Sequence, residues 1–188
     1  MNKNVNQLDV VITYLEMTTP PTSAPPPKPL KNIALLKAEA PTLSFYRFLY
    51  GNVGAPWLWY ERRIMSDEAL NEAINNDGVD VFVLYLGGVP AGYFELNFND
   101  LENLELAYFG LMPEFVGLKL GPYLLRQAID TAWTHDPGRV WVNTCTLDHP
   151  AALGVYQRAG FTPFNQEKIV IDDPREAYPH LDWPEPPK

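Results

Sequence analysis

The chain has 188 residues and an apolar fraction of 46%, enough for one domain with its own core, since domains commonly run to roughly 100–200 residues. Lys and Arg number 14 against 23 Asp and Glu, a formal charge of −9, which argues against nucleic acid as a partner because phosphate binding needs clustered cations. The single cysteine, Cys145, excludes an internal disulfide framework and a multi-cysteine zinc site.

No uncharged apolar run approaches the roughly 18 residues of a membrane span. The longest candidate, 81–94, is interrupted by Gly87, Gly88, Pro90 and Gly92. The opening MNKNVNQLDV has no apolar stretch of the signal-peptide kind, so a cytoplasmic protein with no membrane partner is expected. Val10 to Met17 then reads as a strand. Six of the 19 prolines follow between Pro20 and Pro29. This stretch favours an extended, polyproline-like path and is read as a loop within the domain. Leu43 to Tyr50 looks helical. Ser66, followed by Asp67 and Glu68, caps a helix running to about Asn75, and Asn76-Asp77-Gly78 makes a turn. Val81 to Leu86 and Val89 to Phe98 form a hairpin about Gly87-Gly88, two residues that tolerate positive φ.

Leu104 to Met112 is a further strand. From Pro122 to Thr134 the apolar residues Leu124, Leu125, Ala128, Ile129 and Ala132 share one helical face, with Pro122 expected at the first helical position. Val140 to Leu147 is a strand, Pro150 to Ala159 a helix with Gly160 as its left-handed cap, and Phe164 to Ile171 the last strand. The order predicts a mixed α/β domain over 1–171, with a mostly antiparallel central sheet flanked by helices. Residues 172–188 read as a Pro- and charge-rich arm that Tyr178, Leu181 and Trp183 could dock.

Chemistry concentrates in Glu105 to Asp130, a strand, a loop carrying Gly117 and Gly121, then the amphipathic helix. Backbone amides at a helix N-terminus, clear of large side chains, make an anion site. The expectation is a phosphate or pyrophosphate over Val116 to Gly121, although two glycines before a helix also fit a plain turn.

This segment resembles the acyl-CoA loop of the GNAT superfamily of N-acetyltransferases, Arg/Gln-x-x-Gly-x-Gly/Ala. DHPAALGVYQRAGF, from Asp148 to Phe161, is similar to the family's later motif of Asn, Ala, Tyr and a terminal Gly-Phe. The strand VPAGYFEL also matches, and the resemblance covers roughly 79–171. Three positions depart from it. Lys119 stands at the first loop glycine, where it cannot match glycine if the loop needs positive φ. Val116 replaces Arg or Gln, and His149 replaces Asn.

The resemblance implies acetyl-CoA as acyl donor, held by Val116, Gly117, Leu118, Lys119, Leu120 and Gly121 at its pyrophosphate. Pantetheine would pair with Phe109, Gly110 and Leu111, near His149 and Ala152, and the Phe109 amide would polarise the thioester carbonyl. It implies direct attack by a primary amine in a ternary complex. Glu105, eleven residues before Val116, would take the amine proton through water, with Glu95 in reserve. Tyr156 would protonate the leaving thiolate. Read alone, Glu105 also fits a solvent-facing strand carboxylate and Tyr156 a packing residue.

The segment from Tyr46 to Arg63 gathers aromatics and three arginines, which fits core packing or an acceptor wall. Trp57, Trp59 and Arg62 are the substrate-binding candidates; aromatics favour cations, whereas Arg62 suits a carboxylate. Cys145 and His149 alone do not make a metal site, and none is expected. The reading is therefore an N-acetyltransferase for a small-molecule or peptide amine, and the resemblance admits a homodimer. The departures at Lys119, Val116 and His149 motivate an alternative, a non-catalytic acyl-CoA-binding or regulatory module. A third reading is a peptide-binding protein using the Pro-rich loop.

Overall fold

The computed structural model describes residues 5–186. A single sheet of seven strands organises them: β1 (Gln7–Met17), β2 (Ile33–Lys37), β3 (Val79–Leu86), β4 (Val89–Asn97), β5 (Leu104–Leu111), β6 (Val140–Cys145) and β7 (Thr162–Asp172). Their order across the sheet is β2-β3-β4-β5-β6-β1-β7. Every neighbouring pair is antiparallel except β5 and β6. The mixed α/β, mostly antiparallel class expected from the sequence is the one found.

The helices are α1 (Leu43–Gly54), α2 (Glu61–Ile64), α3 (Asp67–Ile74), α4 (Leu120–Trp133), α5 (Ala152–Arg158) and α6 (Pro174–Ala177). Thr42 caps α1 and Ser66 caps α3, each hydroxyl accepting from the amide three residues on. On one sheet face, α4 packs Leu124, Leu125, Ala128, Ile129 and Ala132 against Phe94, Leu96, Leu106 and Val142. On the other, α1 and α3 pack Tyr46, Leu49, Val53, Leu70 and Ile74 against Val81, Val83 and Tyr93. Central strands covered on both faces must be apolar at consecutive positions, which explains the consecutive apolar residues from Val81 to Leu86 in β3.

Two differences from the expected elements have local causes, and the strand order adds a feature of the topology. The helix expected from Pro122 begins at Leu120, so Pro122 is its third residue; the first amides of a helix have no intrahelical acceptor, and a proline there loses nothing. β2 was not anticipated, because five residues with alternate exposure at a sheet edge carry almost no periodic signal. β1 lies between β6 and β7, so the chain's first strand is inserted between its last two. The loop from β1 to β2 therefore crosses five strand spacings, roughly 24 Å. Its extended Pro-rich path is pinned to α4, where Arg126 Nη2 donates to the Ser23 carbonyl at 2.8 Å.

β5 and β6 pair only at Leu104↔Val140 and Glu105↔Trp141, and then diverge. Arg139 and Trp141 staple the closed end: Arg139 Nε donates to Asn103 Oδ1 at 2.7 Å and Trp141 Nε1 to the Asn103 carbonyl at 3.1 Å. Beyond it, Gly92 lets β4 and β5 approach closely, since a Cβ there would lie 2.5 Å from the Gly110 carbonyl oxygen. Gly92→Ala should therefore destabilise the fold by about 1–3 kcal/mol through overpacking, read as a lowered urea midpoint. An unchanged midpoint would mean the β4–β5 spacing is not tightly set.

Candidate active site

The divergence of β5 from β6 opens a cavity of about 700 Å³. Its walls are the end of β5, the loop into α4, β6, the start of α5 and the segment joining α1 to α2. The backbone of β5 supplies polar groups to it. The Met112 amide donates to the Ala91 carbonyl on β4. Peptide groups alternate in direction along a strand, so those of Gly110 and Tyr108 turn to β4 and those of Leu111 and Phe109 turn into the gap. There no strand partners them.

At the loop entering α4, Gly117 has φ +86° and Lys119 φ +61°. Among the described residues, the amides of Gly117, Leu118, Lys119, Leu120 and Gly121 donate to no acceptor in the chain, and no side chain caps α4. Five adjacent free amides at the positive end of a 14-residue helix fit an anion. Lys119 holds the left-handed conformation that its β-carbon disfavours. The conflict expected at this position is thus real: the lysine sits at positive φ.

On the adjoining strands the two candidate carboxylates differ sharply. Glu95 is fully buried and does not line the cavity. Its oxygens are taken by the Tyr46 hydroxyl and by Arg62 Nη2 at 2.7 Å. Burial raises its carboxyl above the ordinary range, against the pull of Arg62 and Tyr46. Arg62 lines the cavity, stacked 5.3 Å over Tyr108, but its charge is already answered by Glu95. Glu105 lines the cavity and accepts no hydrogen bond from the described residues. Burial, then the nearby Glu95, raises its carboxyl, while Arg62 pulls the other way.

The remaining wall is aromatic. Gly54, where a Cβ would collide with Trp59 at 2.3 Å, lets Trp59 fold back over the end of α1. Trp59 packs at 5.4 Å from Tyr50 and 5.3 Å from Tyr108, and its Nε1 donates to Asp148 Oδ1 at 3.1 Å. Asp148 Oδ2 accepts from Thr144 Oγ1 at 2.8 Å and from the Cys145 amide at 2.9 Å. Trp57 meets the His149 ring edge to face at 5.2 Å, and His149 Nδ1 accepts from the Ala151 amide. Glu61 Oε2 is held by the Tyr50 hydroxyl at 2.9 Å and the Tyr60 amide at 3.3 Å, which leaves Oε1 free.

Tyr156, on α5, is buried beside Phe109 and lines the same cavity. Burial, reinforced by Asp148, raises its hydroxyl far above the usual phenol range, so it holds its proton at neutral pH. Cys145 lies half-buried on the wall, its thiol pushed up to about 11 by burial and by Asp148. No group of His, Cys, Asp and Glu among the described residues has the makings of a metal site.

Of the sequence-derived candidates, Glu105, Phe109, Gly110, Leu111 and Tyr156 line this one cavity, as do Val116, Gly117, Lys119, Leu120 and Gly121. So do His149, Ala152, Trp57, Trp59 and Arg62. Glu95 and Leu118 do not, Leu118 being turned to solvent. Sequence reasoning passed over Glu61, Tyr60, Tyr108 and Asp148. Asp148 was legible as the aspartate beside the His149 motif position; Glu61 and Tyr60 carry no signal until α1 and α2 are placed.

The family model described as Acetyltransferase (GNAT) family matches residues 42–161. Among solved structures, a conserved protein of unknown function from Staphylococcus epidermidis ATCC 12228 superposes with a TM-score of 0.62 at 12% identity. It covers 89% of this chain and 63% of its own. A GCN5-related N-acetyltransferase from Sphaerobacter thermophilus gives 0.58 at 15%, covering 86% and 50%. Spermidine N-acetyltransferase from Vibrio cholerae, in complex with CoA and spermine, gives 0.59 at 18%, covering 79% and 99%. This chain thus spans between half and two thirds of the first two. At these identities the likeness establishes the fold.

Lys119→Gly should relieve a left-handed strain of roughly 1–2 kcal/mol, less the chain entropy glycine adds, for a net gain of about 0.5–1 kcal/mol. Thermal unfolding should move up by a few degrees. A lower melting temperature would show that the lysine side chain contributes more than its backbone costs.

Proposed function

The chain belongs to the acetyltransferase (GNAT) family, and from that membership we propose that it transfers an acetyl group from acetyl-CoA to a primary amine. The observation carrying this reading is the single cavity that joins the free amides of Gly117 to Gly121 with the unpaired peptide groups of Phe109 and Leu111. The residues fit the donor. Five amides and Lys119 suit its pyrophosphate, and the open edge of β5 suits the amide groups of its pantetheine arm. Acetyl-CoA supplies the acetyl group as an activated thioester.

In this mechanism Glu105 receives the proton of the bound ammonium through a water molecule, since a free amine of pKa near 10 is mostly protonated at neutral pH. Its raised carboxyl suits it to that role, because a base works best with a pKa nearer the operating pH. The Phe109 amide donates to the thioester oxygen as charge builds there. The new N–C bond forms as the C–S bond breaks, the Tyr156 hydroxyl passes its proton to the departing sulfur, and the second proton lost by the acylated nitrogen returns through water to Tyr156. No enzyme-bound acyl intermediate is needed, and a Cys145 thiol near pKa 11 is a poor nucleophile at neutral pH.

The acceptor is a cationic amine. Carboxylates with free oxygens on the wall are Glu105 and Glu61, and Arg62 is neutralised by Glu95, so an acceptor carboxylate would find no free guanidinium. Trp57 and Trp59 line the same wall and supply aromatic surface of the kind on which ammonium groups rest.

Calorimetric titration with acetyl-CoA, followed by an amine-dependent thiol-release screen, tests the reading. Micromolar binding with thiol release supports it. Binding without release by any amine would leave a non-catalytic acyl-CoA module, and no binding at millimolar donor would remove both. For Glu105→Gln, kcat should fall by roughly 10²-fold with donor affinity nearly unchanged. In the parent, activity should rise with pH as Glu105 deprotonates, at a pH above the ordinary carboxylate range. That acid limb should vanish in Glu105→Gln, leaving the limb set by the amine. An unchanged profile would remove Glu105 as the base.

A further inference from the structure

The wall carrying Tyr60, Glu61 and Arg62 is held in place from outside itself. α2 is four residues long, buries none of them and has no side-chain cap. So short a helix has little stability of its own. Its side chains are tied inward by Tyr50 on Glu61 and by Glu95 on Arg62, and two further sets of contacts hold its backbone and outer face. From α1, Arg47 Nη1 donates to the Arg62 and Arg63 carbonyls at 3.1 and 3.3 Å, and Nη2 to the Met65 carbonyl at 2.9 Å. From the opposite end of the chain comes the C-terminal arm.

The arm is rooted where β7 ends. The Asp173 amide donates to the Asn6 carbonyl at 2.7 Å, and the Asp173 side chain caps α6 and pairs with Arg175. Glu176 accepts from the Asn6 amide. Beyond α6 the arm crosses to α2. Tyr178 stacks on Tyr60 at 5.5 Å with 23° between the rings. The Arg63 guanidinium lies 4.5 Å over the Trp183 ring, and its Nη2 donates to the Asp182 carbonyl at 2.8 Å. Trp183 Nε1 donates back to the Tyr178 carbonyl at 3.2 Å, closing the arm on itself. Ile169 and Ile171, just before the arm, line the cavity, as do Tyr60, Glu61 and Arg62 at its far end. The arm thus links two walls of one site.

We propose that the arm over 173–183 braces the acceptor wall, with Tyr178 and Trp183 as positioning residues for acceptor binding. This rests on the acetyltransferase reading above. The reacting groups assigned there lie on β5 and α5, and none of the arm contacts described above reaches them. Losing the brace therefore loosens the hold on the acceptor and leaves the chemistry and the donor site in place.

The test uses the full chain carrying Tyr178→Ala, Trp183→Ala and both together. Amide hydrogen exchange over 58–65 should accelerate in the double variant. Acceptor KM should rise roughly tenfold, as expected for losing an aromatic pair and a cation–π contact together. Kcat and acetyl-CoA affinity should stay within about twofold of the parent, and Trp183→Phe, which keeps a ring under Arg63, should restore part of the KM. Unchanged exchange over 58–65 overturns the brace, whether or not any amine is turned over. Faster exchange with an unchanged acceptor KM overturns its part in acceptor binding. A parent that releases no thiol with any amine is a failure of the acetyltransferase reading, visible without the variants.

Discussion

The site depends on one interruption in a sheet: β5 and β6 pair over two residues and then separate. Everything that could serve as an acyl-transfer site follows from that gap, because it leaves peptide groups in the middle of a sheet with no strand to satisfy them. Such groups are costly when buried and unpaired, so the gap persists only if something holds both sides. Asn103, Arg139 and Trp141 clamp the closed end. α4 packs across one face, and Ile12 to Met17 of β1 pair with the whole of β6 on the far side. The gap is thus clamped at one end and packed on both sides.

Charge in the site is arranged by burial. Arg62 and Glu95 form a part-buried ion pair completed by Tyr46, and neither partner can be removed without leaving the other charged and unpaired. That pairing takes the one arginine of the cavity out of use and leaves Glu105, one strand over, without a partner. A carboxylate half-removed from water and near another carboxylate holds its proton more tightly. The same logic makes Asp148 an organiser. Its two oxygens collect Trp59, Thr144 and the Cys145 amide, tying the aromatic wall to the end of β6.

The two chain ends are part of the site's architecture. β1 fills the place between β6 and β7, so Val10 and Ile12 line the cavity together with Ile169 and Ile171. The arm after β7 then reaches the α1–α2 segment, where Arg63 meets Trp183. Segments more than a hundred residues apart thereby share one wall.

Local chemistry alone determined much. The hairpin about Gly87-Gly88, the Ser66 cap, the face of α4 and the left-handed Gly160 after α5 are written in short-range patterns, and each is found. The free amides of the loop before α4 were legible because they depend on a few neighbouring residues. What only the tertiary structure decided is which side chains share the cavity and which are already engaged. Glu95 and Glu105 look alike as strand carboxylates, yet one is spent on Arg62 and Tyr46 and the other is free, since pairing depends on α1 and α2 lying over β4. Glu61, Tyr60 and the arm's Trp183 acquire a role only through contacts between distant segments. Periodicity reports which face of an element is buried; it carries no record of what lies against that face.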